Sequence, residues 1–206
     1  RQPWEQSEAF LFGPVSSFGY DPAMDSWPVD TNDLEAVLAS SDELTDAYIH
    51  NLPDSQKGFH TIEFLLWGQD QDRDVDDLDA RARTYLAGLT RELHVTTSAL
   101  AASWTTSVDG RQPFQVVFAT AGAGNAAYPS RTAAVQEILG GMAAICDEVA
   151  NGKIADPYDA HDPNLVESQY SYNSLLDFQD NLRSVLGAYT GDVPAAGTTG
   201  RGLAEW

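Results

Sequence analysis

The chain has 206 residues with a hydrophobic content of 43%, which suffices for the core of one large domain or two small ones and excludes a disordered tail. Acidic residues number 31 against 11 basic ones, so the formal net charge is −20. This charge argues against a nucleic-acid partner and against an anionic membrane surface, because phosphate groups bind to Lys and Arg. The single cysteine, Cys146, excludes an intrachain disulfide, and its place on an apolar helical stripe predicts an inert core thiol.

The first 33 residues divide into a predicted helix and a long loop. Residues 1–12 carry aromatic and leucine side chains at helical spacing, and Gly13 with Pro14 ends that pattern. Repeated prolines then predict an aromatic-rich loop up to about residue 33. Because long loops in compact domains are usually functional or tightly packed, Asp25 becomes a candidate site residue.

Two short helices and one strongly apolar helix follow in the sequence. Asn32 is in position to cap a helix that runs to residue 39, and Ser40 with Glu43 has the capping-box spacing that begins the next one. The sequence GFHTIEFLLW, residues 58–67, is apolar almost all round. Such a pattern is typical of a helix buried among other helices.

Further helices are predicted after the acidic run at 70–79. A long helix extends to about residue 104, a short one covers 114–121, and one that begins at Ser130 is closed by Gly152. The last long helix runs from about residue 163 to 189, and residues 202–206 open another. The stripe of the last long helix that should be buried comprises Phe178, Leu182, Val185 and Tyr189. With no convincing strand pattern, these elements predict an all-α helical bundle.

The clearest chemical feature is the pair His60 and Glu63, three residues apart on the apolar helix. Both side chains project from one face about one turn apart. Burying a carboxylate there costs several kcal/mol unless a cation or several donors satisfy it. Di-metal helical bundles use a carboxylate and an imidazole at the same separation, in the order Glu then His. The pair is therefore a candidate metal site.

A purely structural interpretation of this pair stays open. His60 and Glu63 would then bond to each other, or to Arg81 or Arg83, as a satisfied polar patch. The H-x-x-E spacing alone is common and does not decide between the two interpretations.

Two other segments offer polar groups on faces that should turn inward. Near the start, Glu8 shares a helix face with apolar residues. In the last long helix, the stripe extended back from Phe178 by threes and fours reaches Ser171 and Glu167. Asn173 begins a polar ladder on a neighbouring face, where interhelical scaffolding is the alternative to ligation. These groups together suit a hard or borderline divalent or ferric ion.

Four blocks of sequence follow one another over nearly the whole chain. They are PWEQSEAFLFGP near the start, DSWPVD at 25–30, GFHTIEFLLWG at 58–68, and ESQYSYNSLLDFQDN followed by YTG at 189–191. In order and spacing these blocks resemble the imelysin family of iron-regulated or insulin-cleaving periplasmic proteins, whose signature is G-x-H-x-x-E. The resemblance is far more specific than H-x-x-E alone.

The resemblance implies two four-helix-bundle-like halves with a site between them, near the H-x-x-E helix. We divide the chain into residues 1–110, which contain this helix, and residues 111–206. The two parts should pack as one unit that is truncated at both ends, because family members extend beyond them. The implied metal ligands are His60, Glu63, Glu8 and Glu167, and the residues that bind the cofactor alongside them are Asp25, Ser171 and Asn173.

The resulting hypothesis is an exported, non-enzymatic protein of the periplasm or cell envelope that handles metal, with iron as the expected ion. It binds a metal ion or metal chelate, has an uptake partner at the membrane or outer membrane, and has its signal peptide outside this chain. A metallopeptidase that uses the same ion is the first alternative, although the sequence has no H-E-x-x-H motif. A helical interaction module with a structural polar cluster is the second.

Overall fold

The computed structural model describes residues 1–194 and 197–205, and their fold is all-α, as predicted. Its α-helices are α1 (Gln2–Glu5), α2 (Pro14–Ser17), α3 (Tyr20–Asp25), α4 (Thr31–Ala39), α5 (Asp46–His50), α6 (Phe59–Trp67), α7 (Ala80–Thr105), α8 (Phe114–Ala119), α9 (Arg131–Asp147), α10 (Asp156–Ala160) and α11 (Ser174–Thr190). Two short strands, β1 (Asp192–Val193) and β2 (Thr198–Thr199), pair antiparallel. The helix predicted at 202–206 is a 3-10 turn, Leu203–Glu205, and Trp206 lies outside the described residues.

The N-terminal segment is not the continuous helix that its sequence predicts. Helix α1 ends at Glu5, and a separate 3-10 turn covers Glu8–Phe10. The amide and hydroxyl of Ser7 both donate to the carbonyl of Trp4, which is the acceptor that the amide of residue 8 would use in a continuous helix. The loop predicted to follow contains α2 and α3, with Gly19 between them.

The caps of α4 and α5 differ from those predicted. Asp30, not Asn32, caps α4 by accepting a hydrogen bond from the amide of Asp33. Thr45, not Ser40, caps α5. The hydroxyl of Ser40 instead bonds back to the end of α4 and accepts from an arginine of α7, so it terminates one helix rather than beginning the next.

Helix α9 does not end at Gly152. The chain stays helical through a π-helical segment, Glu148–Ala155, into α10. Gly152 does not adopt the positive φ with which glycine usually ends a helix. Lys153 in the π-helical segment is buried, whereas Cys146, predicted to lie in the core, is exposed because Ile145 and Val149 form the inward face.

The buried face of α11 is polar, which the predicted apolar stripe did not anticipate. Phe178 is buried, but Leu182 and Tyr189 are both 52% exposed. The helix begins at Ser174 rather than near residue 163. The polar residues that α11 buries are Ser174, Asp177, Asp180, Asn181 and Ser184. They face inward because they bond to the N-terminal segment and to a buried lysine.

A hydrophobic core lies around α6 and α7. Phe64 and Leu65 of α6 pack with Tyr85 and Leu89 of α7, and Tyr170 adds an edge-on aromatic contact with Phe64. Another face of α6 contacts α3 and the N-terminus, where polar side chains are buried. None of the described helices combines the length and the hydropathy that a membrane-spanning helix needs.

Candidate metal centre

The beginning of α6 is held against the end of α3, and this contact brings His60 to Asp25. Gly58 precedes α6 with a φ of 88°, and a Cβ placed on it would lie 2.3 Å from the carbonyl oxygen of Met24. Glycine is therefore required for this approach. Two residues later, Nε2 of His60 lies 3.1 Å from Oδ1 of Asp25, and both side chains are buried.

The carboxylate of Glu63 is fixed by the segment before α11. Its Oε1 accepts hydrogen bonds from the amide of Ser171 at 2.8 Å and from the hydroxyl of Ser171 at 2.7 Å. Its Oε2 lies 3.3 Å from Nδ1 of His60. The imidazole therefore has Glu63 beside one ring nitrogen and Asp25 beside the other.

The guanidinium of Arg1 lies at the centre of this group. It forms an ion pair with Glu5, lies 2.9 Å from Oε1 of Glu167 and lies 3.7 Å from Oδ1 of Asp25. Its Nη1 is 3.1 Å from Nδ1 of His60. Arg1 thus contacts five carboxylates, since Glu63 of α6 and Asp177 of α11 also lie 3.9 Å and 3.8 Å away.

The arginine beside the H-x-x-E pair is not one of those considered from the sequence. Arg81 donates to the carbonyls of Val37 and Asp42, and Arg83 donates to those of Asp76 and Leu78. Both side chains therefore tie loops to the start of α7 and take no part in the buried cluster.

Lys153 is the second cation of the cluster. Its Nζ lies 3.1 Å from Oε2 of Glu8, 3.0 Å from Oε1 of Glu167 and 3.7 Å from Oε2 of Glu5. It also donates to Oδ1 of Asn181 at 3.1 Å, and the amide of Asn181 donates to both Glu5 and Glu8. The π-helical segment and α11 are joined through these contacts.

Asp177 closes the cluster on the α11 side. Its Oδ2 accepts from the hydroxyl of Ser168, and its Oδ1 accepts from Nδ2 of Asn173 at 2.7 Å. Asn173 is bonded to the cluster through this one carboxylate and lies at its edge.

Buried negative charge exceeds buried positive charge here. Six carboxylates share two permanent cations, Arg1 and Lys153, and one histidine. These carboxylates belong to Glu5, Glu8, Asp25, Glu63, Glu167 and Asp177. Because isolated buried charges are costly, protons or a further cation must neutralise part of the excess.

The excess charge appears directly in two raised pKa values. Burial and the neighbouring Glu5 raise the pKa of Glu8 to about 9, although Lys153 opposes the shift. Burial raises the pKa of Glu167 to about 7 against the opposing charges of Lys153 and Arg1. Both groups therefore hold a proton more tightly than an ordinary carboxyl.

Asp25 and His60 shift in the directions expected of an ion pair. Burial on its own raises the pKa of Asp25, but His60 and Arg1 hold it well below its usual range. Burial on its own lowers the pKa of His60, yet the carboxylates of Asp25 and Glu63 raise it above its ordinary value. The imidazole thus favours its charged form between two carboxylates.

Three ligand-type atoms in the described part of the chain make no hydrogen bond. They are Oδ1 of Asp25, Nε2 of His60 and Oε2 of Glu167, all buried. The same three residues offer atoms that lie within 4.8 Å of one another. The short distance between His60 and Asp25 lacks the geometry of a hydrogen bond, and Nη2 of Arg1 likewise makes none.

In each of these three residues the other polar atom is already held. Oδ2 of Asp25 accepts from the indole of Trp4 at 2.7 Å, and Oε1 of Glu167 takes Arg1 and Lys153. Nδ1 of His60 faces Glu63 and Arg1. Two carboxylates and an imidazole, each with one free atom, form a donor set suited to a divalent or ferric ion.

A second group of carboxylate oxygens, from Glu5, Glu8 and Asp25, is equally close. Lys153 forms ion pairs with Glu5 and Glu8, and the amide of Asn181 donates a hydrogen bond to each of these two carboxylates. This group is therefore already supplied with positive charge and donors, unlike the three free atoms.

A family model described as Imelysin matches residues 1–205. The chain belongs to the imelysin family. Iron-regulated protein A of Synechococcus elongatus is 36% identical over 202 residues, which cover 96% of this chain and 52% of that protein. A crystal structure from Parabacteroides distasonis, assigned as an iron-regulated protein A precursor, superposes with a TM-score of 0.82 at 30% identity. It covers 92% of this chain and 59% of its own, so the imelysin chain spans little more than half the length of these two relatives.

The structure of this imelysin-family chain places the predicted site residues in one cluster. Glu8, Asp25, His60, Glu63 and Glu167 are buried together. Ser171 joins them by bonding to Glu63, and Asn173 reaches the cluster through Asp177.

Sequence reasoning did not consider Arg1 or Lys153, and it did not assign Glu5, Asp177 or Asn181 to the site. The separation of Arg1 and Glu5 by four residues was a usable signal for their pairing. Lys153 is one of two lysines in the chain, but its surroundings NGKIADP give no apolar stripe that would have predicted burial.

Proposed function

We propose that this chain binds a metal ion, iron in its cellular setting, through Asp25, His60 and Glu167. The observation that carries the proposal is that Asp25, His60 and Glu167 bring ligand atoms within 4.8 Å of one another, and that each of them also has a buried polar atom that makes no hydrogen bond. Buried polar atoms normally have hydrogen-bond partners, so three buried atoms without them require an explanation. A bound cation supplies it.

The charge of the cluster supports the same proposal. Six carboxylates face two permanent cations. In the metal-free protein, protons on Glu8 and Glu167 neutralise part of this excess negative charge, and an ion with two or three positive charges would neutralise it instead. A bound ion would supply this positive charge permanently. Carboxylate and imidazole donors suit iron among the available metals, and the two relatives described above are both named iron-regulated.

The surrounding residues position these ligands. Trp4 holds one oxygen of Asp25, and Arg1 with Lys153 holds one oxygen of Glu167. Glu63, fixed by Ser171, lies at Nδ1 of His60, where a carboxylate orients the ring. Nε2 is then available to the metal, which displaces the proton that this nitrogen carries in the metal-free protein. We therefore assign Glu63 an orienting role and Glu8 a role in balancing charge, while Asp25 joins His60 and Glu167 as a ligand.

The cellular role that we propose is iron handling by an exported protein of the periplasm or cell envelope. The relative from Parabacteroides distasonis is called a precursor, which supports export of this chain as well. A partner in metal uptake at the outer membrane is part of the same proposal.

Calorimetric titration with Fe²⁺ under anaerobic conditions tests the metal site. Wild-type protein, freed of metal by a chelator, is compared with His60→Ala, Asp25→Asn and Glu167→Gln. Each variant is expected to lose at least about ten-fold in affinity, because each removes one of three donors. Glu137→Gln, an exposed acid of α9, is the control and should bind as the wild type does.

Equal affinity in the wild type and all three ligand variants would overturn the proposal. The same preparations loaded with zinc or copper establish which metal binds tightest. Turnover of unstructured peptides by the loaded wild type, lost in His60→Ala, would instead favour the peptidase alternative.

A further inference from the structure

A cavity of about 270 Å³ lies beside the buried cluster. Glu8, Asp25 and Glu167 form its inner wall, together with Lys153. The two carboxylates with free oxygen atoms, Asp25 and Glu167, therefore border on this space, and their side chains are only 5% and 9% exposed. The cavity is the approach to the proposed ligand atoms.

Three more carboxylates line the outer part of the same cavity. Glu148, which begins the π-helical segment, and Asp156, which begins α10, are exposed, and Asp21 of α3 is half-buried. Glu148 lies 3.5 Å from Lys153, whereas neither Asp21 nor Asp156 forms an ion pair within the described residues. None of these three acids contributes to the three free ligand atoms.

The charge of the cavity wall determines whether a cation or an anion can occupy the cavity. Six carboxylates and one ammonium group line it, so the potential inside attracts cations and repels anions. Apolar side chains of Leu11, Trp27 and Leu165 complete the wall and lower the local dielectric, which strengthens this field.

The volume of the cavity limits the size of its occupant. Pockets for drug-sized organic ligands usually measure about 300–1,000 Å³, so this cavity is below that range. An ion with six water molecules, at about 30 Å³ for each water, takes roughly 180 Å³ and fits.

We infer that the site takes its metal as a free hydrated cation that enters through this cavity, guided by Asp21, Glu148 and Asp156, and that it rejects anionic metal chelates. This inference rests on the proposed function, because it names the form in which the metal reaches the same ligands. It assigns the three outer acids to the rate of metal entry, so their removal should change the affinity only through the association rate.

Stopped-flow measurement of Fe²⁺ association tests the entry route, with the intrinsic tryptophan fluorescence as the signal. The triple variant Asp21→Asn, Glu148→Gln, Asp156→Asn is expected to bind about ten-fold more slowly at low ionic strength. It should also lose most of the salt dependence of the association rate, with a dissociation rate close to that of the wild type.

The matched control carries Glu35→Gln, Glu43→Gln and Asp70→Asn, three exposed acids that do not line the cavity. It reduces the net negative charge by the same amount and should keep both the association rate and its salt dependence. A rate in the cavity variant equal to that of this control would overturn the inference while leaving the metal site itself in place.

Ferric citrate is the probe for the second half of the inference. We expect no saturable binding of this anionic complex to the wild type at concentrations that saturate the site with Fe²⁺. Binding of the intact complex with comparable affinity would contradict the inference. Failure of the wild type to bind Fe²⁺ in either experiment would remove the proposed function together with the entry route.

Discussion

Helix α6 is buried on two faces, and their surroundings differ completely. One face places Leu65 in an apolar core with Tyr85 and Leu89, where removal from water provides the stability. The other places His60 and Glu63 in a cluster of ions that stays stable only while its charges are matched. The two faces are therefore equally buried but are stabilised by different interactions. Mutations on the two faces should differ in their effects on stability.

The largest expected effect is the loss of a buried cation. Lys153→Met keeps most of the side-chain volume but leaves Glu8 and Glu167 without their ammonium partner. We expect the free energy of unfolding to fall by about 3–5 kcal/mol. Urea denaturation in the presence of a chelator measures it.

Arg91→Met provides the comparison for that loss. Arg91 pairs with Asp46, and both side chains are more than half exposed. Its removal should cost less than about 1 kcal/mol, because water already solvates both charges. Equal losses in the two variants would mean that burial does not distinguish these cations.

On the apolar face, Leu65→Ala should destabilise the fold by about 2–5 kcal/mol, since Leu65 is fully buried and the change leaves a void. Unlike Lys153→Met, it should not alter the dependence of stability on pH. Denaturation at two pH values checks both statements. A change in pH dependence would show that the two faces are coupled.

The pH dependence of stability should come from the charged face. Glu8 and Glu167, with pKa values raised by burial to about 9 and about 7, bind their protons more tightly in the folded than in the unfolded chain. Folding is therefore favoured below their ordinary pKa of 4.5, and this contribution is lost as the pH rises towards 9. His60, whose pKa is also raised, acts in the same direction.

The lowered pKa of Asp25 acts in the opposite direction, but only below its ordinary value of 3.8. Metal-free protein should thus lose stability steadily between pH 5 and 9, as followed by urea denaturation in buffers about one pH unit apart. Glu8→Gln should flatten the slope. A stability that rises over this range in the wild type would contradict the assignment of these shifts.

On the charged face, the smallest expected effect comes from Ser171→Ala. It removes one of the two donors to Glu63 and leaves the backbone amide in place, so stability should fall by about 1–2 kcal/mol. Iron affinity should fall by about ten-fold, because Glu63 orients the imidazole. Ser98→Ala, on the exposed side of α7, serves as the control for both measurements. If the iron affinity of Ser171→Ala is unchanged, the orientation of Glu63 does not contribute to metal binding.

The sequence predicted the fold class and most of the acidic side of the site. The apolar run around His60 and Glu63 predicts a buried helix, and a buried carboxylate requires a positive companion. Two such companions are Arg1 and Lys153, which lie far apart in the sequence and come to the same cluster only after folding.

The error in the inward face of α11 has a clear physical cause. In α11 the apolar positions Leu182 and Tyr189 were assigned to the inside, but hydrogen bonds from Asn181 and its polar neighbours to the N-terminal segment turn that side of the helix inward. Hydrophobic periodicity identifies the inward face of a helix only where the interior is apolar. A buried ionic cluster reverses the rule, and a single sequence does not reveal it.

Gly58 explains the first letter of the G-x-H-x-x-E signature. It performs no chemistry, yet it is the point at which α6 leans on the last turn of α3. Any larger residue would have to push the two helices apart by roughly 1 Å, which is enough to spoil a precisely spaced ligand set. The glycine of the signature therefore sets the distance between α3 and α6, and with it the distance between the imidazole of His60 and Asp25. The other two fixed letters of the signature are the functional groups themselves.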